Sequence, residues 1–493
     1  MFLPLGQFSP DIKIGLVSAS RNCFPRALAE SRTKRLLAET RKLGLEPFVP
    51  DAECAVIETR AHAAEAAHAL VEARCDAAVL YLGNFSPEIE DAAFVKAFPG
   101  PVMLIAAAEE SAAGLAAGRG DALCGLLSAT LAIRKRALSA RVHIPESPLV
   151  SAAAGAQEIA HFVGVLRVHK GITRATLGLF GPRPRDFETV NYNIASILSL
   201  GVEIEELGFH DLVNAVEKIE AGQADAITDE MIEQVGDDYG REFMGRLSAY
   251  EKALLTLRET LRLSGATTQC WPEQEPKLRH VPCFVNSRLA AQGFPVACEN
   301  DAYSLVAELM GQYASDADVT VLDINHTIPA DLPSGLPDRV SERDVIGMFH
   351  CGNTNARRLR EPALKHQVIM KRLMEPDTEP DITRGTLEGD IAASPITVLQ
   401  VHGNGDGLRA YLIEGKFLDV PSQTFGAAGV AYLPGFARFY RHVLLGRFHH
   451  HAAVAFDHCA AVLYDALKLL GVEEVFVPFP SERAYPGENV FRS

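Results

Sequence analysis

Along the first third of the chain, apolar runs of strand length alternate with longer stretches whose apolar residues recur at helical spacing: KIGLVSAS, RALAESRTKRLLAETRKLG, AAVLYLG and PVMLIAAA. That alternation predicts a parallel sheet covered by helices. The pattern restarts near residue 165, where RATLGLFGPRPRDFETVNYNIASILSLGVEIEEL reads as strand, Pro-rich loop, helix and strand. A boundary at about residue 172 follows. The second unit runs through the helix-rich 211–265 to FPVACENDAYSLVAELMGQYASDADVTVLDINHT and ends in IPADLPSGLPD, a stretch of linker composition. From about 385 to 445, segments such as SPITVLQVHG and RAYLIEG are short, β-rich and joined by Gly/Asp turns, and HAAVAF, CAAVLYDALKLLG and EEVFVPF then close the chain as a β-α-β unit. The expected fold class is α/β: two Rossmann-like parallel-sheet domains, 1–172 and 173–338, followed by a C-terminal domain, 339–493, with an antiparallel β portion.

Composition narrows the partners. The 493 residues are 48% hydrophobic and 22% charged, as in ordinary globular proteins. The net charge of -16 repels phosphate backbones, which argues against nucleic acid and anionic membranes. Nine scattered cysteines, odd in number and without a C-x-x-C pair, read as reduced thiols of a cytoplasmic protein. The opening MFLPLGQFSPDIKIGLVSAS has no basic leader, and Asp11 and Lys13 interrupt its apolar run, so it reads as neither secretory signal nor membrane span.

The segment 295–323 carries the most chemistry. PVAC is a strand, Glu299, Asn300 and Asp301 follow, AYSLVAELM has helical spacing, and DVTVL is a second strand stopped by Asp323. Asn300 or Asp301 is the expected helix N-cap. Two strands joined by a helical crossover are expected to be parallel neighbours, which would place Glu299 and Asp323 side by side at the ligand-binding carboxyl edge. Paired carboxylates call for a proton or a cation between them, and a hard divalent ion such as Mn²⁺ or Mg²⁺ answers that need. A helix cap at Glu299 and a turn at Asp323 account for the same spacing.

Four histidines crowd RFHHHAAVAFDH. His451 stands where the loop enters the strand AAVAF and, turned inward, would complete a facial site of one nitrogen and two oxygens with open positions for a chelating substrate. His449 and His450 read as flanking loop residues, with His450 the alternative ligand. GNGDG (403–407) lacks the phosphate-loop pattern and reads as a hairpin turn.

Taken in order, IGLVSASRNCFPRALAESR, YLGNFSPE, LFGPRPRDFETVNYN, ACENDAYSLVAELM, VTVLDINHT, MFHCGN, SPITVLQVHGNGDGLRAYLIEG and HHHAAVAFDHCAAVLYDALKLLGVE resemble the L-fucose isomerase and L-arabinose isomerase superfamily, and its fucose-isomerase-like branch in particular. The resemblance implies that Glu299, Asp323 and His451 hold Mn²⁺, or another divalent cation such as Mg²⁺ or Co²⁺. His458 reproduces the family's second histidine seven positions on, and His350 in MFHCGN matches a further ligand of the arabinose branch. It also implies a homo-oligomer, trimer or hexamer, whose sites are completed by an adjacent subunit's N-terminal domain; Arg21 is the expected contributor.

Resemblance and residue chemistry meet in an aldose-ketose isomerisation through a cis-enediol, with Glu299 as base and Asp323 as its partner. A monosaccharide is the expected substrate. Asn325, Asn353 and Asn355 offer donors for sugar hydroxyls, Trp271 a stacking face, and Arg21, Arg183 and Arg185 charge for an acidic substituent. A turn role for the asparagines, packing for Trp271 and solvation for the arginines are the competing readings. Competing functions are a cytoplasmic sugar-binding protein and a metal-dependent aldolase or dehydratase.

Overall fold

The computed structural model describes residues 2–51, 53–329, 332, 341–479 and 488–492. Most of the linker IPADLPSGLPD, and with it the boundary expected at 338, lies outside the described residues. The described chain forms two compact units, one of residues 11–169 with 468–471, the other of 1–10, 170–467 and 472–493.

In the unit of 11–169, strands β1 (Ile14–Ala19), β2 (Val56–Ile57), β3 (Ala77–Leu82), β4 (Val102–Ala107), β5 (Val142–His143) and β6 (Leu149–Val150) make one sheet. Its order is β2-β1-β3-β4-β5, with β6 also on β4, and every pairing is parallel. β1, β3 and β4 are buried along their whole length, which is why they read as unbroken apolar runs rather than alternating ones.

The larger unit holds two sheets. The first joins β7 (Thr176–Phe180), β8 (Glu203–Leu207), β9 (Gly265–Thr268) and β10 (Val296–Ala297) in the all-parallel order β10-β9-β7-β8. The second is mixed. It contains β11 (Val319–Thr327), β12 (Val345–His350), β13 (Leu359–His366), β14 (Arg384–Ile391), β15 (Ser394–Asn404), β16 (Gly407–Phe417), β17 (Ala427–Tyr432), β18 (His451–Ala455) and β19 (Glu474–Phe476). Their order is β13-β14-β17-β12-β11-β18-β15-β16-β19. All pairings are antiparallel except β14–β17 and β16–β19. GNGDG is the hairpin turn between β15 and β16, with Asn404 opposite Gly407.

Two expectations are overturned. β10 and β11 are not parallel neighbours: β10 pairs with β9, whereas β11 lies antiparallel between β12 and β18 in the other sheet. The helix between them, Ala302–Ser315, explains the switch. Residues 302–313 are all buried, so the helix needs apolar cover on every side and lies between the sheets instead of on the outside of one. Nor does Asp323 stop its strand; β11 continues to Thr327 through an irregularity between Ile324 and His326.

Candidate active site and metal centre

Glu299 follows the short β10 and, with Asn300, takes a left-handed backbone conformation (φ 56° and 58°). Such φ values are uncommon outside glycine, and this turn aims consecutive side chains in different directions. Asn300 bonds back to the Gly181 carbonyl at 2.6 Å, and Asp301 caps the following helix by accepting from the Ser304 backbone N–H at 3.0 Å. Asp301 is thus the N-cap. Glu299 is left pointing at the second sheet.

There it meets side chains from three strands. Asp323 on β11 and His451 at the head of β18 are directly opposed in the antiparallel ladder. His350 ends β12. His451 Nε2 lies 3.5 Å from Glu299 Oε2 and 3.6 Å from Asp323 Oδ1, while His350 Nε2 lies 3.9 Å from Glu299 Oε2. Both carboxylate oxygens are buried and lack a hydrogen-bond partner among the described residues. Stranding two such acceptors around one ring nitrogen costs free energy unless a cation or proton joins them.

The donor set fits a divalent cation. Glu299, His350 and His451 bring ligand atoms within 4.8 Å of one another, as do Asp323, His450 and His451. His451 Nδ1 lies 2.8 Å from Asp301 Oδ2 and donates to it, which leaves Nε2 as the ring nitrogen facing the two carboxylates. Carboxylate oxygens with imidazole suit hard to borderline divalent ions.

Burial raises the Asp323 carboxyl to about 6, against the opposing pull of His350 and His451. Burial alone would lower His451, but its bond to Asp301 and the Glu299 and Asp323 carboxylates carry it above the ordinary value. His450 is driven down to about 3, by burial first and then by its histidine neighbours.

The other expected residues divide. Trp271 joins the centre, donating Nε1–H to Glu299 Oε1 at 3.1 Å. Asn325 is exposed and lines an apolar cavity of about 280 Å³ beside His449 and His450. Asn353 donates to the Val321 carbonyl at 3.3 Å while its buried Oδ1 has no partner among the described residues, and Asn355 spends its amide on Asp318 and the Arg357 backbone. Arg183 is held by Asn191 and by the Pro184 and Arg185 carbonyls at the edge of a separate polar cavity of about 320 Å³. Arg185 is exposed and pairs with its neighbour Asp186. Arg21 belongs to the unit of 11–169, where it bonds to the Ser86 carbonyl and Glu88 and stacks on Phe85.

His458 stands two residues before the helix Ala460–Leu469, with its Nε2 2.9 Å from the Gly415 carbonyl. One histidine expectation changes. His449 is buried rather than loop-exposed, because alternate residues entering a strand share a face and His451 already points inward. Missed altogether was Phe187, whose ring stands 5.7 Å from Trp271, 5.5 Å from His450 and 5.8 Å from His451. Nothing in GPRPRDFETV marks that phenylalanine as different from a core residue.

Residues 15–173 match the family model described as fucose/sulfoquinovose isomerase, N-terminal domain, and residues 348–476 match L-fucose isomerase, C-terminal domain. The second match contains His350 and His451; Glu299 and Asp323 fall between the two. No curated protein matches the chain.

Proposed function

We propose that this chain, which belongs to the fucose isomerase-like family and is an aldose-ketose isomerase, works on a monosaccharide through a cis-enediol at a divalent centre held by Glu299, Asp323 and His451. The observation that carries the reading is the convergence of two buried, unpartnered carboxylate oxygens on one imidazole nitrogen. His350 adds a second imidazole on the Glu299 side. A divalent ion bound there, Mn²⁺ in our reading, supplies Lewis-acid polarisation of the sugar carbonyl.

The chain's own groups handle the protons. In the aldose-to-ketose direction Glu299 takes the proton from C2 and Asp323 returns one to C1, while the hydroxyl proton passes from O2 to O1 so that the carbonyl moves to C2; the two carboxyls exchange roles in the reverse direction. The two carboxyls share one imidazole neighbour, His451. Trp271 donates to Oε1 of Glu299 and so fixes the orientation of the carboxylate. Phe187, packed on Trp271, His450 and His451, keeps water from the enediol. A reduced, cytoplasmic setting agrees with nine free cysteines. A trimer or hexamer is part of the same reading.

The test is a panel of aldoses and ketoses, including deoxy and 6-substituted acidic sugars, incubated with the protein and Mn²⁺. One aldose-ketose pair is expected to interconvert, with activity lost in EDTA and restored by Mn²⁺. Full turnover in metal-free protein overturns the metal centre; carbon-carbon cleavage or dehydration without interconversion overturns the isomerase chemistry.

A further inference from the structure

We infer that Asp301 is a positioning residue for His451, locking the imidazole in the form that presents a bare Nε2 to Glu299 and Asp323 and thereby setting the affinity of the centre for a divalent cation. The inference rests on the metal reading above. Asp301 is wholly buried, and its Oδ2 lies 2.8 Å from His451 Nδ1 across 150 residues of sequence. The opposite ring nitrogen is the one that faces the two unpartnered carboxylate oxygens, at 3.5 and 3.6 Å. One side of the ring is therefore committed to a carboxylate, and the other is left to coordinate.

The carboxylate is itself held from several directions. Its Oδ1 accepts the Ser304 backbone N–H, so the group that caps the helix also orients the histidine. Its Oδ2 accepts from the Ser304 hydroxyl as well. Gln400 on β15 donates to Ser304 Oγ at 2.8 Å and to the His451 carbonyl at 2.9 Å, tying helix and strand through one amide. His449 completes the arrangement. Its Nδ1 accepts the His451 backbone N–H at 3.2 Å, which puts the His449 proton on Nε2, 3.5 Å from Asp301 Oδ2. Carboxylates placed behind a metal-binding histidine fix its tautomer and raise its basicity, and their loss weakens metal binding about 10–100-fold.

Asp301→Asn separates the two duties. Asparagine is as good an N-cap as aspartate. With Oδ1 kept on the Ser304 N–H, however, the new NH₂ group replaces Oδ2 and donates to His451 Nδ1. The ring proton must then move to Nε2, toward the metal position.

The experiment uses the full-length chain stripped of metal. Mn²⁺ binding is titrated by calorimetry, and the His451 tautomer is read from ¹⁵N imidazole shifts at a pH where the ring is neutral, with His451→Gln giving the assignment. Wild type is expected to show the Nδ1–H form, and Asp301→Asn the Nε2–H form with Mn²⁺ affinity about 10–100-fold lower and a circular dichroism spectrum like wild type. Equal affinity and an unchanged tautomer in the variant overturn the inference. So does an Nε2–H form in the wild type, a reading that needs no variant to fold. Failure of wild type to bind Mn²⁺ at all overturns the metal centre instead, while the tautomer still judges Asp301.

Discussion

Asp323 and His451 face each other as register partners on β11 and β18, with His451 Nε2 3.6 Å from Asp323 Oδ1. A backbone ladder, not a flexible loop, thus sets the spacing of two proposed ligands. Directly opposed residues of an antiparallel pair project from the same face at fixed separation. His450 lies one residue outside that ladder, 3.9 Å from Asp323, and is partly exposed. His451→Ala is therefore expected to lose more than about 100-fold in Mn²⁺ affinity, beyond the range for a supporting residue, together with nearly all turnover. His450→Ala is expected to keep most of both. Metal titration of the two variants decides; the larger loss in His450→Ala would move the ligand assignment by one residue.

Glu299→Gln preserves the shape of the side chain and removes its basicity. The fold is expected to survive, with turnover falling by about 10²–10⁴, the range for a general base. Exchange of the C2 proton with deuterated solvent should fall in parallel. Wild-type turnover in this variant would remove Glu299 from the proton-transfer role.

Trp271→Phe deletes the 3.1 Å bond to Glu299 Oε1 while retaining an aromatic ring beside Phe187. A hydrogen bond to a charged group contributes about 1.5–3 kcal/mol. A fall in kcat of roughly tenfold or more follows if that bond holds the base in its reacting orientation. Unchanged kcat, with only KM raised, would make Trp271 a sugar-stacking residue instead.

The apolar runs of the first third were readable because the parallel strands β1, β3 and β4 are buried on both faces and leave no alternation to misread. The residue types that converge at the candidate centre were readable too, since few side chains satisfy a hard cation. What local spacing does not encode is which sheet a strand joins. Val296–Ala297 and Val319–Thr327 look alike as strands, yet they entered different sheets because the helix between them is buried all round. The near absence of charge in AYSLVAELMGQYAS, with Glu308 alone, was the available signal. The sequence offers Asn300 or Asp301 as the cap and the structure selects Asp301, whose contact with His451 depends on packing across 150 residues.

Asp91, in the unit of 11–169, gives a pH signature away from the site. It is fully buried, bonded to Ser86 Oγ at 2.5 Å, and burial pushes its carboxyl to about 8 from 3.8. The folded state therefore holds this proton more tightly than the unfolded state. The stabilisation is complete below the unfolded value and is lost as pH rises through the folded one, at about 1.4 kcal/mol per pH unit across the window from about 4 to 8. Urea unfolding of wild type at pH 5, 6, 7 and 8 is expected to fall more steeply than that of Asp91→Asn. Parallel slopes would mean that Asp91 is ionised in the fold.

Because Glu299 leaves one sheet while Asp323, His350 and His451 stand on another, with Ala302–Ser315 wedged between them, no contiguous fragment short of 299–451 carries the proposed centre. A chain emerging from the ribosome has nothing with which to capture an ion in this geometry until β18 has been made and docked. Ion capture would then report that tertiary assembly has finished, and by mass action would favour the finished state over every partial one.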